Sequence, residues 1–221
     1  MNIEPVAFFR SPLTSKFGVP RQSGVADKLP GRVELVPEYR SADAVRGLEA
    51  FSHAWLIWGF SANPHAPSGL TVRPPRLGGN ERVGVFASRS PFRPNSLGLS
   101  SVRIESVEMT AAGPVINVLG ADLMDGTPIY DIKPYVAYTD CHADARCGFV
   151  DSHHWEQLEV DVPAEVARLF SDDELSALRQ LLAQDPRPRY HNDEERVYGM
   201  PYAGRDVKFR VEGRRVVVVG A

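Results

Sequence analysis

Three segments framed by glycine and proline concentrate the side chains that could do chemistry. In Pro128-Ile129-Tyr130-Asp131-Ile132-Lys133-Pro134-Tyr135, residues Asp131, Lys133 and Tyr135 alternate. In an extended chain they share one face while Ile132 points into the core. A carboxylate, an amine and a phenol side by side can handle a proton, with the cation holding the carboxylate ionised. An ion pair that merely caps a strand accounts for the same residues. In Lys16-Phe17-Gly18-Val19-Pro20-Arg21-Gln22, glycine and proline fix the backbone, and Arg21 and Gln22 present planar groups suited to a carboxylate, an amide or a base edge. A plain surface turn is the alternative. In the run from Gly84 to Gly98, Ser90 and Arg93 each precede a proline, which pins them as extended. Arg89 and Arg93 then project from a stiff loop beside Phe86 and Phe92, an arrangement suited to a nucleotide or adenosyl group through charge and stacking. A structural hairpin with incidental arginines competes with that reading.

Charge points the same way. The 221 residues carry a net charge of −3, but residues 1–110 hold 13 Lys/Arg against 9 Asp/Glu and residues 111–221 hold 12 against 19. Arg73, Arg76, Arg82, Arg89 and Arg93 fall within one short stretch that contains a single acid, Glu81. A local cationic surface on an acidic chain suggests a polyanion docked at one place rather than general coating of nucleic acid; a solvated face with paired arginines is the other account. Cys141, His142, Cys147, His153 and His154 have the residue types for zinc but none of its usual spacings, so no metal is expected. Two cysteines cannot build a disulfide framework, and the start of the chain has no leader-like pattern; both fit a cytoplasmic protein. No apolar run approaches the length of a membrane span. His53, next to Trp55 and Trp58, reads as a core or rim histidine.

These loops need strands to hold them. Ile3–Phe9, Arg32–Val36, His53–Phe60, Val83–Ala87, Leu97–Glu108 and Val115–Leu123 are rich in β-branched and aromatic residues and are separated by Gly/Pro punctuation. No crossover helices lie between them, so the expected fold is mainly β, a closed or nearly closed antiparallel barrel, rather than a doubly wound sheet. Neither a G-x-G-x-x-G nor a P-loop motif occurs. After about residue 142 the character changes. A short helix is expected over Pro163–Phe170. A capping box, Ser171 to Glu174, opens a second helix with Leu175, Leu178, Leu181 and Leu182 on one face, which Pro186 and Pro188 end. Val207, Phe209 and Val211, the Glu212-Gly213 turn and Val216–Val219 predict a hairpin. The expected division is a barrel domain over 1–142 and a small C-terminal α+β domain over 143–221.

Several longer stretches resemble the TsaA-like (YaeB-like) family. They are Phe9-Arg10-Ser11-Pro12 with Lys16 to Gln22, Ala44 to His53, Val72 to Asn80, the Ser90–Ser100 loop, Asp125-Gly126-Thr127-Pro128 through Tyr135, Gln184-Asp185-Pro186-Arg187-Pro188, and Asp206 to Val211. The resemblance implies an S-adenosylmethionine-dependent tRNA methyltransferase built on a β-barrel. It implies N6-methylation of threonylcarbamoyladenosine next to the anticodon of threonine tRNA, by a homodimer. Pro20, Arg21, Gln22, Arg89, Leu99 and the segment Leu119, Gly120, Ala121, Asp122 would line the cofactor site. Ser61 and Ala62 stand where better-known members hold a His-Gln pair, so a contact there has to come from the backbone. With that substrate, Asp131 is the expected acceptor of the N6 proton. Lys133 would orient Asp131 or bind the threonyl carboxylate, and Tyr135 would position the base. Arg73, Arg76, Arg82 and Arg93 would hold anticodon-stem phosphates. A non-catalytic adenosylmethionine- or nucleotide-binding regulator, and a methyltransferase for another substrate, are the alternatives.

Overall fold

The computed structural model describes residues 2–63, 69–74, 77, 81–152, 156–187 and 193–221. Strands β1 (Ala7–Arg10), β2 (Pro30–Leu35), β3 (His53–Gly59), β6 (Leu97–Thr110), β7 (Gly113–Leu119) and β8 (Pro128–Pro134) close a barrel in the order β1-β2-β7-β6-β3-β8. All neighbours are antiparallel. A two-residue ladder, β4 (Thr71–Val72) with β5 (Val83–Gly84), stands apart from it. The interior is filled by alternate residues, among them Phe9, Val33, Leu56, Val102, Ile116 and Ile129. Space is tight: a Cβ on Gly31 would stand 2.2 Å from the Phe9 ring, so only glycine lets that ring lie across β2.

Two bulges set which side chains face out. In β8, Ile57 of β3 pairs with Asp131 and Trp58 pairs with Ile129, leaving Tyr130 as an extra residue. The bulge changes the alternation, so Ile129 is buried and Ile132, three positions on, also packs on the core, while Asp131 and Lys133 lie on the outer face. In β6, the extra residue is Glu105, between Ile104 and Ser106.

The second unit is a four-stranded sheet, β10 (Tyr198–Tyr202), β11 (Arg205–Glu212), β12 (Arg215–Gly220) and β9 (Glu159–Asp161), with β9 parallel to β12. Helix α4 (Asp172–Ala183) lays Ala177, Leu178, Leu181 and Leu182 against it. Its capping box is formed as the sequence predicts, the Ser171 hydroxyl accepting from the Glu174 amide and the Glu174 carboxylate accepting from the Ser171 amide. The expected hairpin is β11–β12.

Some boundaries differ from expectation. Strand β1 starts at Ala7, and β7 stops at Leu119 because Gly120 turns the chain at φ +78°. The stretch Val83–Ala87 gives two strand residues and then a 3-10 turn. The helix after Pro163 is a single turn, α3 (Ala164–Ala167). Leu13, Ala26 and Leu29, from the connection between β1 and β2, are buried in the C-terminal cluster, with Phe17 and Val19 packed on it. Burial of each leucine contributes roughly 1.5–3 kcal/mol, so this connection is held firmly against the second unit.

Candidate active site

Two of the polar segments singled out, Lys16–Gln22 and Gly84–Gly98, emerge at one end of the barrel, the end where Arg10, Pro30, Gly59, Leu97, Leu119 and Pro128 lie, and the third, Pro128–Tyr135, is strand β8 running from that end to the other. Backbone bonds lace these loops together. The Gly24 amide donates to Gly120 O at 2.8 Å, the Gly120 amide to Leu29 O at 2.9 Å, and the Phe60 amide to Ser96 O at 2.9 Å. Side chains continue the lacing: Lys16 Nζ donates to Asn63 Oδ1 at 2.7 Å, and an Arg89 guanidinium nitrogen donates to Gln22 Oε1. The structure therefore brings residues 20–22, Arg89 and 119–122 to one place, with Ser61 and Ala62 on the turn that follows β3. Pro20, Leu119, Gly120 and Ala121 are buried; Arg21, Ser61 and Arg89 are exposed.

The Pro20–Gln22 turn is braced from the second unit. Gly18, at φ +93°, has Met200 where a Cβ would stand, 2.3 Å from Sδ. Arg21 Nη2 reaches Asp185 O at 3.5 Å, and Gln180 Nε2 donates to Asp27 Oδ1 at 2.6 Å. Beneath the loops, Trp58 Nε1 donates to Ser100 Oγ at 2.9 Å, and Ser100 Oγ donates to Asp122 Oδ1 at 2.5 Å. Burial pushes the Asp122 carboxyl above its ordinary range. The Ser100 hydroxyl, its own amide, the Arg89 charge and the Ser23 amide pull it back.

The outer face of the barrel continues the site. Leu99, Ile57 and Asp131 are register partners on β6, β3 and β8, so they form one outward row. Two strand spacings put Leu99 and Asp131 about 10 Å apart. Leu99 is 57% exposed, so a group resting on it shares a face with the Asp131 carboxylate. Asp131 Oδ2 holds Lys133 Nζ at 3.0 Å, and its Oδ1 accepts from the Ile132 amide at 2.9 Å. A groove of about 420 Å³, with Tyr39 and Phe51 in its wall, opens against Asp131 and Ile132.

The expected trio splits here. Each two-residue step along a strand covers about 6.8 Å, so Asp131 and Tyr135 stand about 13 Å apart along the chain. Tyr135 belongs to an aromatic group instead, its ring 5.6 Å from Trp55 and 6.1 Å from His53. Its phenol is raised by desolvation first and by the nearby Cys141 and Asp140, so it stays protonated. His53 is the half-buried rim histidine that the sequence suggests, its Nδ1 2.9 Å from Ser52 Oγ.

The arginines are less uniform than their spacing implies. Arg73 and Arg82 are exposed, Arg82 with a 3.3 Å bond to Thr71 Oγ1. Arg93 is half-buried and donates to Ser88 O at 2.9 Å and Ser90 O at 3.4 Å, bonds that stiffen its own loop. Arg76 lies outside the described residues, as do His153 and His154. Cys141 and Cys147 are exposed and free, and the described residues contain no cluster of three or more potential metal ligands. No helix among the described residues is long and apolar enough to cross a membrane.

Comparison with known proteins decides the lineage. The family model for the tRNA-methyltransferase O N-terminal domain matches residues 8–141, and that for the TrmO C-terminal domain matches residues 156–221. The chain belongs to the tRNA-methyltransferase O family. Its relatives in that family include the tRNA (adenine(37)-N6)-methyltransferase of Escherichia coli (strain K12), 40% identical over 94% of this chain and 92% of that protein. A Pseudomonas aeruginosa protein whose name describes an S-adenosylmethionine-dependent methyltransferase is 40% identical over 93% of this chain and 90% of its own length. The crystal structure of TrmO from Pseudomonas aeruginosa superposes with a TM-score of 0.81 at 32% identity, covering 100% of this chain and 97% of that one.

Two members of the site were not singled out from sequence. Trp58 and Ser100 read as ordinary strand residues, and they meet Asp122 only because β3, β6 and the end of β7 close on one another. The available signal was Gly98: a Cβ there would stand 2.3 Å from the Trp58 ring, so glycine at that point marks an indole lying across the neighbouring strand.

Proposed function

We propose that this chain methylates N6 of threonylcarbamoyladenosine at position 37 of a tRNA, that the loops at the barrel end hold S-adenosylmethionine, and that the outer row holds the target base. As a member of the tRNA-methyltransferase O family it is an S-adenosylmethionine-dependent tRNA (adenine-N6)-methyltransferase. The single observation that carries the site assignment is the shared row of Leu99, Ile57 and Asp131, which puts an exposed apolar seat and a proton acceptor on one face beside the loop cluster.

The residues fit the cofactor chemically. Arg89 and Gln22 offer planar donors for a carboxylate, Asp122 a half-buried carboxyl group for an ammonium or hydroxyl, and the tight backbone from Leu119 to Asp122 a surface on which a flat ring can lie. When bound, the group supplies a sulfonium methyl that leaves as the new N6–CH3 bond forms, the sulfur keeping the bonding pair as a thioether. Asp131 accepts the N6 proton, which the carbamoyl group makes more acidic than that of a plain amine. Lys133, 3.0 Å away, pairs with Asp131 and can also attract the threonyl carboxylate. Tyr135 acts as a fixed phenol at the edge of the face, away from the proton transfer. Arg73 and Arg82, with Arg76 and Arg93, attract the phosphates of the anticodon arm.

Exposed Leu70 and Phe86 support a homodimer, because a second copy would cover apolar surface that a monomer leaves wet. The deciding experiment incubates the protein with labelled S-adenosylmethionine and tRNA that carries or lacks the threonylcarbamoyl group, followed by nucleoside mass spectrometry. Methyl appearing only on the carbamoylated nucleoside supports the reading. Transfer to unmodified adenosine, or none to either, overturns it.

A further inference from the structure

The Asp122 carboxylate sits where four segments meet. It accepts from the Ser100 hydroxyl of β6, with Trp58 of β3 behind Ser100, and Arg89 from the loop ahead of β6 and the Ser23 backbone from the loop that carries Arg21 and Gln22 favour its charged form. Ser100 is 1% exposed, and its hydroxyl accepts from the indole and donates its one proton to the carboxylate. That order is forced: an indole N–H can only donate, so the hydroxyl proton is free to point only at Asp122. The indole is itself fixed, lying across Gly98 and edge-on to Phe60 at 4.3 Å.

We infer that Trp58 and Ser100 are positioning residues for the methyl donor: the indole orients the hydroxyl, the hydroxyl aims the Asp122 carboxyl group, and that group binds the donor's cationic or hydroxyl-bearing end. The inference rests on the placement of S-adenosylmethionine proposed above. It concerns affinity rather than rate. A carboxylate close to a sulfonium favours the charged ground state over a transition state in which that charge is dispersing, so its use lies in holding the donor. Of the other groups near this point, Trp58, Ser100 and Ser23 do not titrate, Arg89 is bonded to Gln22, Lys16 is engaged with Asn63, and Asp27 is turned to Gln180.

The consequence is an acid limb in donor binding. As pH falls through the Asp122 value, the carboxylate protonates and affinity drops. Removing the Ser100 donor raises that value, so the drop must begin at higher pH. A hydrogen bond to a charged acceptor of ordinary strength corresponds to a displacement of about one pH unit.

The test is calorimetric titration of the full-length protein with S-adenosylmethionine from about pH 5 to about pH 8. The proteins compared are wild type, Ser100→Ala, Trp58→Phe and Asp122→Asn, with thermal melts recorded for each. The expected result is that Ser100→Ala moves the acid midpoint up by about one unit, Trp58→Phe moves it the same way by less, and Asp122→Asn binds weakly with no acid limb. Ser100→Cys, nearly the same size and a weaker donor, keeps the inference testable should Ser100→Ala fold poorly; its midpoint falls between wild type and Ser100→Ala. Affinity curves that fall by a constant factor at every pH, or that superpose on wild type, overturn the positioning role and leave the cofactor placement standing. Failure of the wild-type protein to bind at any pH overturns the placement itself.

Discussion

At the scale of single residues, chemistry and support separate cleanly on the outer face of the barrel. Asp131 is solvent-accessible; its carboxylate pairs with Lys133 and accepts from the Ile132 amide, a bond that an asparagine oxygen can keep. Asp131→Asn should therefore leave thermal stability and donor affinity within about twofold of wild type, while single-turnover methylation slows by about 10²–10⁴, the usual contribution of a positioned base. Tyr135→Phe removes a phenol that is not beside that carboxylate, so its rate should change less than about fivefold, far below the range for a proton-transfer group. The Asp131–Lys133 pair was legible in the sequence because two-residue alternation in an extended segment is a local rule. The same rule placed Tyr135 with them too generously, since a shared face does not mean contact across four residues. The bulge at Tyr130 was not legible: it is visible only against β3, whose residues lie some 75 positions earlier in the sequence.

Elements behave differently according to whether their partners are near in sequence. The Ser171–Glu174 capping box could be read directly because all its atoms lie within one turn; Ser171→Ala should lower stability by about 1 kcal/mol, seen in denaturant titration. The connection between β1 and β2 is the opposite case. Its Gly/Pro pattern announced a stiff turn at Gly18–Gln22, but not that Leu13, Ala26 and Leu29 belong to a core built almost 200 residues later. Gly18→Ala combines a left-handed backbone at φ +93° with a collision on Met200, whose side chain is fully buried, so it should cost about 2–4 kcal/mol. Its effect should also reach donor binding, because Met200 supports the turn that presents Arg21 and Gln22. A calorimetric comparison of Gly18→Ala with wild type at a temperature where both are folded separates the two effects.

The whole molecule divides its labour between a rigid barrel end and a basic approach to it. If Arg73 and Arg82 meet phosphates, replacing each by alanine should flatten the dependence of log Kd for tRNA on log salt by about one, with donor affinity unchanged. The net charge of −3 makes this a local attraction, and at low salt the rest of the acidic surface keeps RNA from coating the molecule. The barrel itself was legible from many short strands without crossover helices. Its closure order, and the joining of its first loop to the second sheet, depend on pairings between distant segments that no local pattern records.

That joining bears on how the chain is made. Leu13 and Leu29 leave the ribosome long before Met200, Val207 and Phe209, the residues that will shelter them, have been translated. A nascent barrel thus carries an oily strap with nowhere to dock until the second sheet has been translated. Ribosomes stalled ahead of codon 198 should display that strap to chaperones and proteases, and release of the finished polypeptide should hide it.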